Sequence, residues 1–320
     1  MQEMRKIIYS IAHKKIAVIG DLILDKYIFG NVDRISPEAP IPIVLVNKEN
    51  FALGGAANVA ANISTLGGNA FLFGILGNDQ AQEKVLQISN ESNINTSGIF
   101  IDDEKHTIEK IRVIGQHQQL LRIDYEDGNY IEENVSSYFI DKLLDVAQLD
   151  MIIISDYAKG TISNKLINDI KIYAQKNNIP LIVDPKPKHK DFYKGVTLLT
   201  PNLKEAQELS GIYVTDQTSL EQCGKKLNEI YNCDIIITTG EKGLSIFPID
   251  DKITHIPTQA VEVYDVSGAG DTFIASLSLA ITTKSKLESS ARFANYAAGI
   301  KVTKLGTAPV HFEELAKLFD

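Results

Sequence analysis

The stretch 263-VYDVSGAGDTFIAS-276 contains a turn of small residues, an acid and then an apolar run. Gly268 and Gly270 leave the backbone N–H groups of this turn open to a ligand, because glycine carries no side chain. The apolar run predicts a helix over 269–280, whose first unpaired amides and positive dipole end would face the same ligand. Such a helix start binds phosphate groups, and Asp271 is placed to accept a proton from an attacking hydroxyl group.

Two interpretations of this stretch stay open at the level of local sequence. In the first, the acid activates a nucleophile and the amides stabilise a transferred phosphoryl group. In the second, Asp271 is only a first-turn acid favoured by the helix dipole, and the glycines form an ordinary turn. A dinucleotide-binding loop fits less well, because a third glycine at the required spacing is lacking.

The composition limits the class of protein. The chain has 320 residues, 44% of them hydrophobic and 23% charged, which is ordinary for a globular protein with a large core. A formal net charge of −9 argues against a broad nucleic-acid surface, which needs cations to displace counterions. No apolar run approaches the roughly 20 residues of a membrane span, and the N-terminus lacks a signal-peptide pattern, so we expect a cytoplasmic protein. Two cysteines, Cys223 and Cys233, predict neither a disulfide framework nor a zinc site.

Short apolar runs rich in β-branched residues recur along the chain, with amphipathic stretches between them. The runs are 16–19, 71–76, 151–154, 181–183, 196–199 and 235–238. They predict a single α/β domain over 1–320, with a mostly parallel central sheet flanked by helices on both faces. Such sheets bind ligands at the carboxyl ends of their strands.

Two segments break this pattern and predict a small β-sheet lid over the main domain. The first, about 25–46, contains three prolines, which suit edge strands and turns. The second, about 99–124, alternates apolar and polar residues, as a sheet with one wet face does. The apolar run 41-IPIVLV-46 is long for an exposed edge strand and would favour aggregation unless it were paired.

Two longer motifs carry a resemblance to a known family. The stretch 265-DVSGAGDTF-273 resembles the C-terminal signature of the ribokinase-like (PfkB) carbohydrate kinases, and 54-GGAANVAANISTLGGNAFLFGILGND-79 resembles their N-terminal signature. The two signatures are about two hundred residues apart, in the order that the family has. The resemblance implies a ribokinase-like fold and ATP-dependent phosphorylation of a sugar.

The resemblance also implies a role for each residue that matches a family motif. Asp271 would be the general base, and the anion hole would be formed by Gly268, Ala269 and Gly270. The residues expected to hold sugar hydroxyls are Asp21, Asp25, Gly54, Gly55 and Asn58. The residues expected near ATP are Asn202, Glu205, Thr239, Gly240, Lys242 and Gly243. Of these, Asn202 and Glu205 resemble the family's N-x-x-E motif, which helps to hold Mg²⁺ through water. The pair also fits a capping box at the start of a helix, and the two roles can coexist.

Within the family, the sequence is similar to the kinases of D-glycero-β-D-manno-heptose 7-phosphate. The similarity lies in 20-GDLILDKYIFGNVDRISPEAPIPIV-44, 155-SDYAKG-160 and 183-VDPKPK-188. It implies transfer of the ATP γ-phosphoryl group to O1, in the biosynthesis of ADP-heptose for lipopolysaccharide. The 7-phosphate needs cations remote from O1, and the candidates are Arg34, Arg122, Lys159 and Lys186. Two alternatives stay open: Arg34 could instead hold the lid turn through Asp33 or Glu38, and Lys186 could face ATP.

Three further expectations follow from the resemblance. The sequence ends at Asp320 without a nucleotidyltransferase motif, as in the kinase-only form and unlike the bifunctional kinase/adenylyltransferase. Lids in the family commonly pair between subunits, so we expect a homodimer through the lid. A monovalent cation near 261–263 and 301–306 stays open as an additional cofactor.

Three alternatives compete with the heptose interpretation. Another ribokinase-like kinase would act on ribose, fructose or fructose 6-phosphate. A non-catalytic sugar- or nucleotide-binding regulator on the same fold would be expected to have lost the base or the anion hole. An NAD-dependent oxidoreductase lacks its sequence fingerprint. The histidines show no ligand spacing and receive no chemical role.

Overall fold

Strands and helices alternate along most of the chain. The computed structural model describes residues 1–116, 118–126, 133–258, 263–304 and 306–320. Within these residues the strands are β1 (Lys15–Gly20), β2 (Leu22–Ile35), β3 (Pro42–Gly55), β4 (Asn69–Gly77), β5 (Asn95–Asp102), β6 (Ile108–Gly115), β7 (Gln118–Tyr125), β8 (Met151–Ser155), β9 (Leu181–Asp184), β10 (Leu198–Leu199), β11 (Asp234–Thr238), β12 (Leu244–Phe247) and β13 (Thr254–Ile256). The helices are α1 (Gln2–Ser10), α2 (Ala56–Thr65), α3 (Gln80–Glu91), α4 (Glu133–Leu144), α5 (Asn164–Asn177), α6 (Leu203–Ser210), α7 (Gln217–Tyr231), α8 (Ala269–Thr282), α9 (Leu287–Lys301) and α10 (Phe312–Ala316).

The main sheet contains nine strands of the described residues, in the order β13-β12-β11-β10-β9-β8-β1-β4-β5. Neighbouring strands from β11 to β5 are parallel, whereas β12 pairs antiparallel with both β11 and β13. The predicted, mostly parallel sheet is confirmed. Because parallel strands end on the same side, the carboxyl ends of β1, β8, β9 and β11 meet along one edge.

Helices cover both faces of this sheet, as the packing of β1 illustrates. Ile16 and Val18 belong to one hydrophobic cluster, which includes residues of α2, α8 and α9. Ala17 and Ile19 belong to the opposite cluster, which includes residues of α4, α5 and α7. All four residues are fully buried. A strand covered on both faces is apolar at every position, which is why the sequence indicated a central strand here.

A second sheet of four strands, called the lid sheet below, has the order β3-β2-β6-β7 in the described part of the chain. Strand β2 pairs antiparallel with β3 and parallel with β6, and β6 pairs antiparallel with β7. Strand β2 begins at Leu22, and β1 ends at Gly20, so the lid sheet continues almost directly from the main sheet.

The lid sheet differs from its predicted bounds in two places. Residues 99–102 belong to β5, which pairs with β4 in the main sheet. Residues 47–55 extend β3 beyond the predicted end at 46. Alternation of apolar and polar residues occurs in any strand with one covered face, so the pattern alone could not assign β5 to one sheet or the other.

Two sequence-based expectations concern the molecule as a whole. Among the helices in the described ranges, none has the length and apolar character needed to cross a membrane. Cys223 and Cys233 are both buried and carry free thiols. Burial raises the pKa of both thiols, as is typical of unreactive cysteines in a protein core.

Candidate active site

The small-residue turn begins helix α8, as predicted. Gly268 is the N-cap and has a φ of 76°, a left-handed conformation that favours glycine. A Cβ atom on Gly268 would lie only 2.9 Å from Nδ2 of Asn58, so close packing also requires glycine there. Asp271 lies in the first turn of α8, next to the positive end of the helix dipole. The backbone therefore brings a carboxylate and the start of a helix to one point.

The N–H groups of this turn differ in their availability to a ligand. The Ala269 N–H donates to the Val266 carbonyl at 3.2 Å and is engaged within the turn. The N–H groups of Gly268, Gly270 and Asp271 have no hydrogen-bond partner in the described ranges. The open amides of the turn are therefore those of Gly268, Gly270 and Asp271, whereas the Ala269 amide, which the sequence suggested as a donor, is engaged within the turn.

The Asp271 carboxylate is only 5% exposed and is held by donors from two other parts of the chain. Asn58 donates Nδ2–H to Oδ2 at 2.6 Å, and Tyr157 donates its hydroxyl to Oδ1 at 2.8 Å. Burial raises the pKa of Asp271, and the two hydrogen bonds oppose this by stabilising the anion. Burial and the charge of Asp271 raise the pKa of Tyr157 well above its usual value, so Tyr157 stays a donor. A carboxyl group with these properties suits a general base.

Packing of α2 against α8 brings Asn58 to Asp271. Gly55, with a φ of 56°, is the N-cap of α2. Thr272 donates its hydroxyl to Oδ1 of Asn62 at 2.9 Å, and Asn62 donates Nδ2–H to the Asn58 carbonyl at 2.9 Å. Buried polar groups need such partners. These contacts hold the Asn58 side-chain amide against the Asp271 carboxylate.

Asp21 directly follows β1, and its carboxylate anchors the loop after β8. The side chain is fully buried and accepts from the N–H groups of Tyr157 at 3.0 Å, Lys159 at 3.1 Å and Thr161 at 2.9 Å. Burial raises the pKa of Asp21, and the backbone donors of Thr161 and Lys159 lower it. The structure thus does not support the expected contact of Asp21 with sugar hydroxyls. Instead, Asp21 positions the loop that carries Tyr157 to Asp271.

Asp25 lies on β2 at the base of the lid sheet and is buried. It forms an ion pair with Arg112 of β6. A Cβ atom on Gly54 would lie 2.6 Å from Oδ2 of Asp25, so the absence of a side chain lets β3 approach this carboxylate. The charge of Asp25 contributes to the raised pKa of Asp271. Of the expected sugar-binding residues, Asp25 and Gly54 therefore lie together, within electrostatic reach of the proposed base.

A cavity of about 170 Å³ opens beside Asp271. It is lined by residues from the carboxyl ends of β8, β9 and β11, from α6 and from the start of α8, including Tyr157, Asp184, Lys186, Asn202, Glu205, Thr238, Gly268 and Gly270. The structure therefore brings together the predicted base, the predicted anion-binding turn and the predicted N-x-x-E pair. A larger cavity of about 540 Å³ is lined by Asn58 and by residues of the lid strands β2 and β3.

The first cavity also contains a candidate metal site. Asn202 and Glu205 form the capping box of α6, with both reciprocal hydrogen bonds at 3.0 Å. Glu205 also accepts from Nζ of Lys186. Burial raises the pKa of Asp184 well above its usual value, and the charge of Glu205 adds to this effect. In the described ranges no group of three or more His, Cys, Asp or Glu could hold a metal. Two neighbouring acids with an amide fit Mg²⁺, which uses one or two carboxylates and keeps several waters.

The remaining residues expected near ATP follow β11. Thr239 precedes a short 3-10 helix, Gly240–Lys242, and donates its hydroxyl to the Gly243 carbonyl at 2.9 Å. A β-bridge joins Asn202 to Thr238, immediately before this turn. The turn therefore lies next to the cavity, with Thr238 as the lining residue of this segment.

Two of the cations expected at the sugar phosphate lie elsewhere. Lys186 lines the cavity beside Glu205, on the side of the residues expected near ATP. Arg34 is exposed near the outer end of β2. At the rise of an extended strand, it lies about 30 Å from Asp25. Neither position fits the expected contact with a sugar phosphate in the same subunit.

The other two, Arg122 and Lys159, lie near cations that the sequence did not indicate. Lys110 and Arg112 of β6 share one face of the lid sheet with Arg122, since Arg112 and Arg122 are cross-strand partners. This face is called the inner face. Nζ of Lys110 lies 6.0 Å from the ring centre of Tyr157, beside the main domain. Burial lowers the pKa of Lys110, the charges of Asp25 and Asp124 oppose this effect, and the charges of Lys159 and Arg122 add to it. The cationic groups of Lys110, Arg122 and Lys159 therefore lie near one another.

Sequence reasoning missed Tyr157, Asp184 and Arg112. Tyr157 follows β8 by two residues, and Asp184 ends β9, so both stand where parallel sheets bind ligands. That position was the available signal. Arg112 lies within an alternating lid strand, where a cation is expected on a solvated face, and nothing nearby indicated its pairing with Asp25.

Comparison with known proteins places the chain in a family. The model of the pfkB family carbohydrate kinases matches residues 13–313, and the chain belongs to this family. Bifunctional protein HldE of Aliarcobacter butzleri is 42% identical over 304 residues, which are 94% of this chain and 63% of that protein. Bifunctional protein HldE of Trichlorobacter lovleyi is 38% identical over 312 residues, 96% of this chain and 64% of that protein. The chain thus spans less than two thirds of the length of these curated relatives.

Solved structures confirm the ribokinase-like fold. The structure of Arabidopsis thaliana ribokinase complexed with ribose and ATP matches with a TM-score of 0.76 and 17% identity, over 96% of this chain and 99% of that chain. Phosphofructokinase-2 from Escherichia coli in complex with potassium matches with a TM-score of 0.78 and 17% identity, over 96% of this chain and 98% of that chain. At this identity the likeness concerns the fold alone.

Proposed function

We propose that the chain transfers the γ-phosphoryl group of MgATP to O1 of D-glycero-β-D-manno-heptose 7-phosphate, giving the 1,7-bisphosphate. This step would serve ADP-heptose and lipopolysaccharide biosynthesis in the cytoplasm. Two findings support a heptose 7-phosphate kinase: membership of the pfkB family, and the sequence identity of 38% and 42% with the two HldE proteins. The decisive structural observation is the buried Asp271 carboxylate at the start of α8, next to the open amides of Gly268 and Gly270.

The geometry suggests how each group would act. Asp271 accepts the proton of the O1 hydroxyl as O1 attacks the γ-phosphorus, and the bond to the β,γ-bridging oxygen breaks to release ADP. The amides of Gly268, Gly270 and Asp271, with the positive end of α8, would stabilise the charge on the transferred group. Asn58 and Tyr157 hold the Asp271 carboxylate in place.

Residues of the first cavity would hold the metal and the nucleotide. Asp184, Asn202 and Glu205 would hold Mg²⁺ directly or through water, and the bound ion would neutralise charge on the phosphates. Lys186 lies in the same cavity as a point charge for a phosphate oxygen. The turn 239–243 next to this cavity would contact the rest of the nucleotide.

The inner face of the lid sheet supports a substrate that carries its own phosphate. Lys110, Arg112, Arg122 and the nearby Lys159 form a group of cations above the sugar-binding base of the lid. Arg122 and Lys159 are balanced by Asp124 and Glu126. Lys110 forms no direct ion pair within the described ranges, and only the more distant charges of Asp25 and Asp124 act on it to stabilise the cation. An unphosphorylated sugar would have no use for this charge, whereas a sugar phosphate would compensate it.

The test is turnover of a substrate panel by the purified chain with MgATP. We expect efficient ADP release with heptose 7-phosphate and little with ribose, fructose or fructose 6-phosphate. Equal turnover of ribose or fructose 6-phosphate would exclude the heptose assignment. Tight binding of sugar or ATP without any turnover would instead favour a regulator on the same fold.

The opposite face of the lid sheet supports assembly as a homodimer. This outer face carries Ile111 and Val113 of β6 and their cross-strand partners Ile123 and Leu121 of β7. Leu121 is 55% exposed, so a continuous apolar strip is left in contact with water in one copy of the chain. A second copy, using the same strip, would cover it in a closed, symmetric contact.

Sedimentation velocity tests this assembly. We expect the wild-type chain to sediment as a dimer at micromolar concentration and Leu121→Asp to sediment as a monomer. Ile172→Asp is the matched control, because Ile172 is equally apolar and exposed but lies on α5. A monomeric wild-type chain would contradict the proposal.

A further inference from the structure

A lysine is buried beneath the phosphoryl-binding turn. Lys301 ends helix α9, and no part of it is exposed to solvent. Lysine is almost never fully buried without a partner that stabilises its charge. Its position at a helix C-terminus is one such stabilisation, because the negative end of the helix dipole attracts a cation.

The ammonium group has a defined set of polar neighbours. Nζ of Lys301 donates to the Gly306 carbonyl at 2.6 Å. The Gly306 N–H in turn donates to Oδ2 of Asp265 at 2.8 Å, and the Ser267 N–H donates to Oδ1 of the same carboxylate at 2.8 Å. Burial and the charge of Lys304 lower the pKa of Lys301, whereas the charges of Asp265 and Asp271 raise it. An internal cation and a carboxylate thus tie the segment after α9 to the segment before α8.

The lysine side chain also contacts the turn itself. A Cβ atom placed on Gly268 would lie 3.4 Å from Cε of Lys301 and 3.7 Å from Cγ2 of Thr307. The end of the lysine side chain therefore packs directly against the N-cap of α8. Its charge acts through a short, water-poor path, where screening is weak.

This arrangement bears on the monovalent cation that the sequence left open. Of the segments 261–263 and 301–306, residues 261, 262 and 305 lie outside the described ranges. In the described part, the Gly306 carbonyl, an oxygen of this segment that could bind a monovalent ion, already accepts from the Lys301 ammonium. An ammonium group and K⁺ have the same charge and similar size. The residues present therefore do not fit an additional ion at this point.

We propose that the Lys301 ammonium is a built-in replacement for a monovalent cation, which positions the Gly268 turn and makes phosphoryl transfer independent of K⁺. The inference rests on the proposed kinase function for its catalytic consequence. Lys301 is a positioning residue, since it contacts the turn and not the reacting atoms. E. coli phosphofructokinase-2, which has the same fold, has been solved in complex with potassium.

The first experiment compares wild type with Lys301→Ala in potassium chloride and in choline chloride at equal ionic strength. Wild type should have the same kcat and the same Tm in both salts. Lys301→Ala should lose kcat by about 10- to 100-fold in choline. Potassium or ammonium ions, which fit the space left by the side chain, should partly restore kcat and raise the Tm of the variant saturably. Lithium should do neither.

A second variant and a control keep the result interpretable. Lys301→Met fills the space without charge, so it should lose kcat and show no response to potassium. Lys304→Ala, in the same segment, removes a lysine that pairs with Glu314, and it should behave as wild type in both salts.

Three results would overturn the proposal: a wild type that requires potassium, a folded Lys301→Ala variant whose Tm and kcat ignore potassium, or wild-type kcat in Lys301→Met. The Tm readings need no substrate. A chain that phosphorylates none of the sugars would therefore reject the kinase function, while the stabilisation of Lys301→Ala by potassium would still decide the cation site.

Discussion

The hydroxyl of Tyr157 lies 2.8 Å from Oδ1 of Asp271, although the two residues are 114 positions apart in the sequence. Asp21 creates this contact by holding the loop after β8 through three backbone N–H groups. The proposed base is therefore supported by a residue that Asp21 positions from the end of β1.

Removal of this hydroxyl should change the pH dependence of the reaction. Asp271 must be deprotonated to act, so kcat/KM falls as the pH drops through its pKa, which burial raises and Tyr157 lowers. In Tyr157→Phe we expect the acid limb to move to higher pH by about 1 to 2 units, because a hydrogen bond to a charged group is worth about 1.5–3 kcal/mol.

The control for this profile is Tyr173→Phe. The Tyr173 hydroxyl donates to the Leu143 carbonyl, outside the site, and its loss should leave the acid limb in place. Superimposable profiles of wild type and Tyr157→Phe would show that the hydroxyl does not set the ionisation of the base.

Asp271→Asn should separate catalysis from binding. The amide has nearly the same size as the carboxylate but accepts no proton at neutral pH, so kcat should fall by about 10²- to 10⁴-fold. The affinity for ATP, measured by calorimetry, should change little. A variant that keeps near wild-type turnover would show that another group is the base.

Glu205→Gln should raise the Mg²⁺ concentration needed for half-maximal activity, by about 10-fold or more. Glutamine can still accept from the Asn202 N–H, so the capping box is kept while the charge beside Asp184 is removed. Glu208→Gln, on the exposed side of the same helix, is the control and should leave the requirement unchanged. An unaltered requirement in Glu205→Gln would remove Glu205 from the metal site.

Gly270→Ala and Gly268→Ala should have opposite effects on stability. A Cβ atom on Gly270 meets no atom within 4 Å. Alanine should therefore leave the free energy of unfolding unchanged or raise it by up to about 1 kcal/mol. Its methyl group would enter the cavity beside Asp271 and should lower kcat by about 10- to 100-fold.

Gly268→Ala should instead destabilise the chain by about 1–2 kcal/mol, because its φ is left-handed. Denaturant melts and kcat measurements on both variants check these expectations. A destabilised Gly270→Ala variant, or one with wild-type kcat, would contradict the proposed open space for a phosphoryl group.

The parts of the site that lie in one continuous stretch could be predicted from the sequence. The turn before α8 and Asp271 are contiguous, and a helix start imposes the same dipole and open amides wherever it occurs. The capping box of Asn202 and Glu205 spans four residues and was equally visible. The central strands were indicated because burial on both faces leaves continuous apolar runs.

The parts that depend on tertiary contact could not be predicted in this way. Arg112 and Asp25 pair across 87 positions, and Asp25 alone suggested a sugar ligand as readily as an ion pair. Asp21 was expected to bind substrate, because nothing in its neighbourhood shows that three N–H groups from residues 157–161 surround it. Lys301 gave no signal, since a lysine at the end of a helix is usually solvated.

Asp21 alone separates β1 from β2, and this gives the lid a mechanical property. The three backbone donors hold this joint, so we expect little rotation of the lid at its base. The register of the pairing between β2 and β3 shifts between Phe29 and Gly30 and again between Asn31 and Arg34. A strand bends most easily at such irregularities. Opening would therefore be a flexing of the outer half of the lid, while Asp25 and the groups around the proposed base stay still throughout the catalytic cycle.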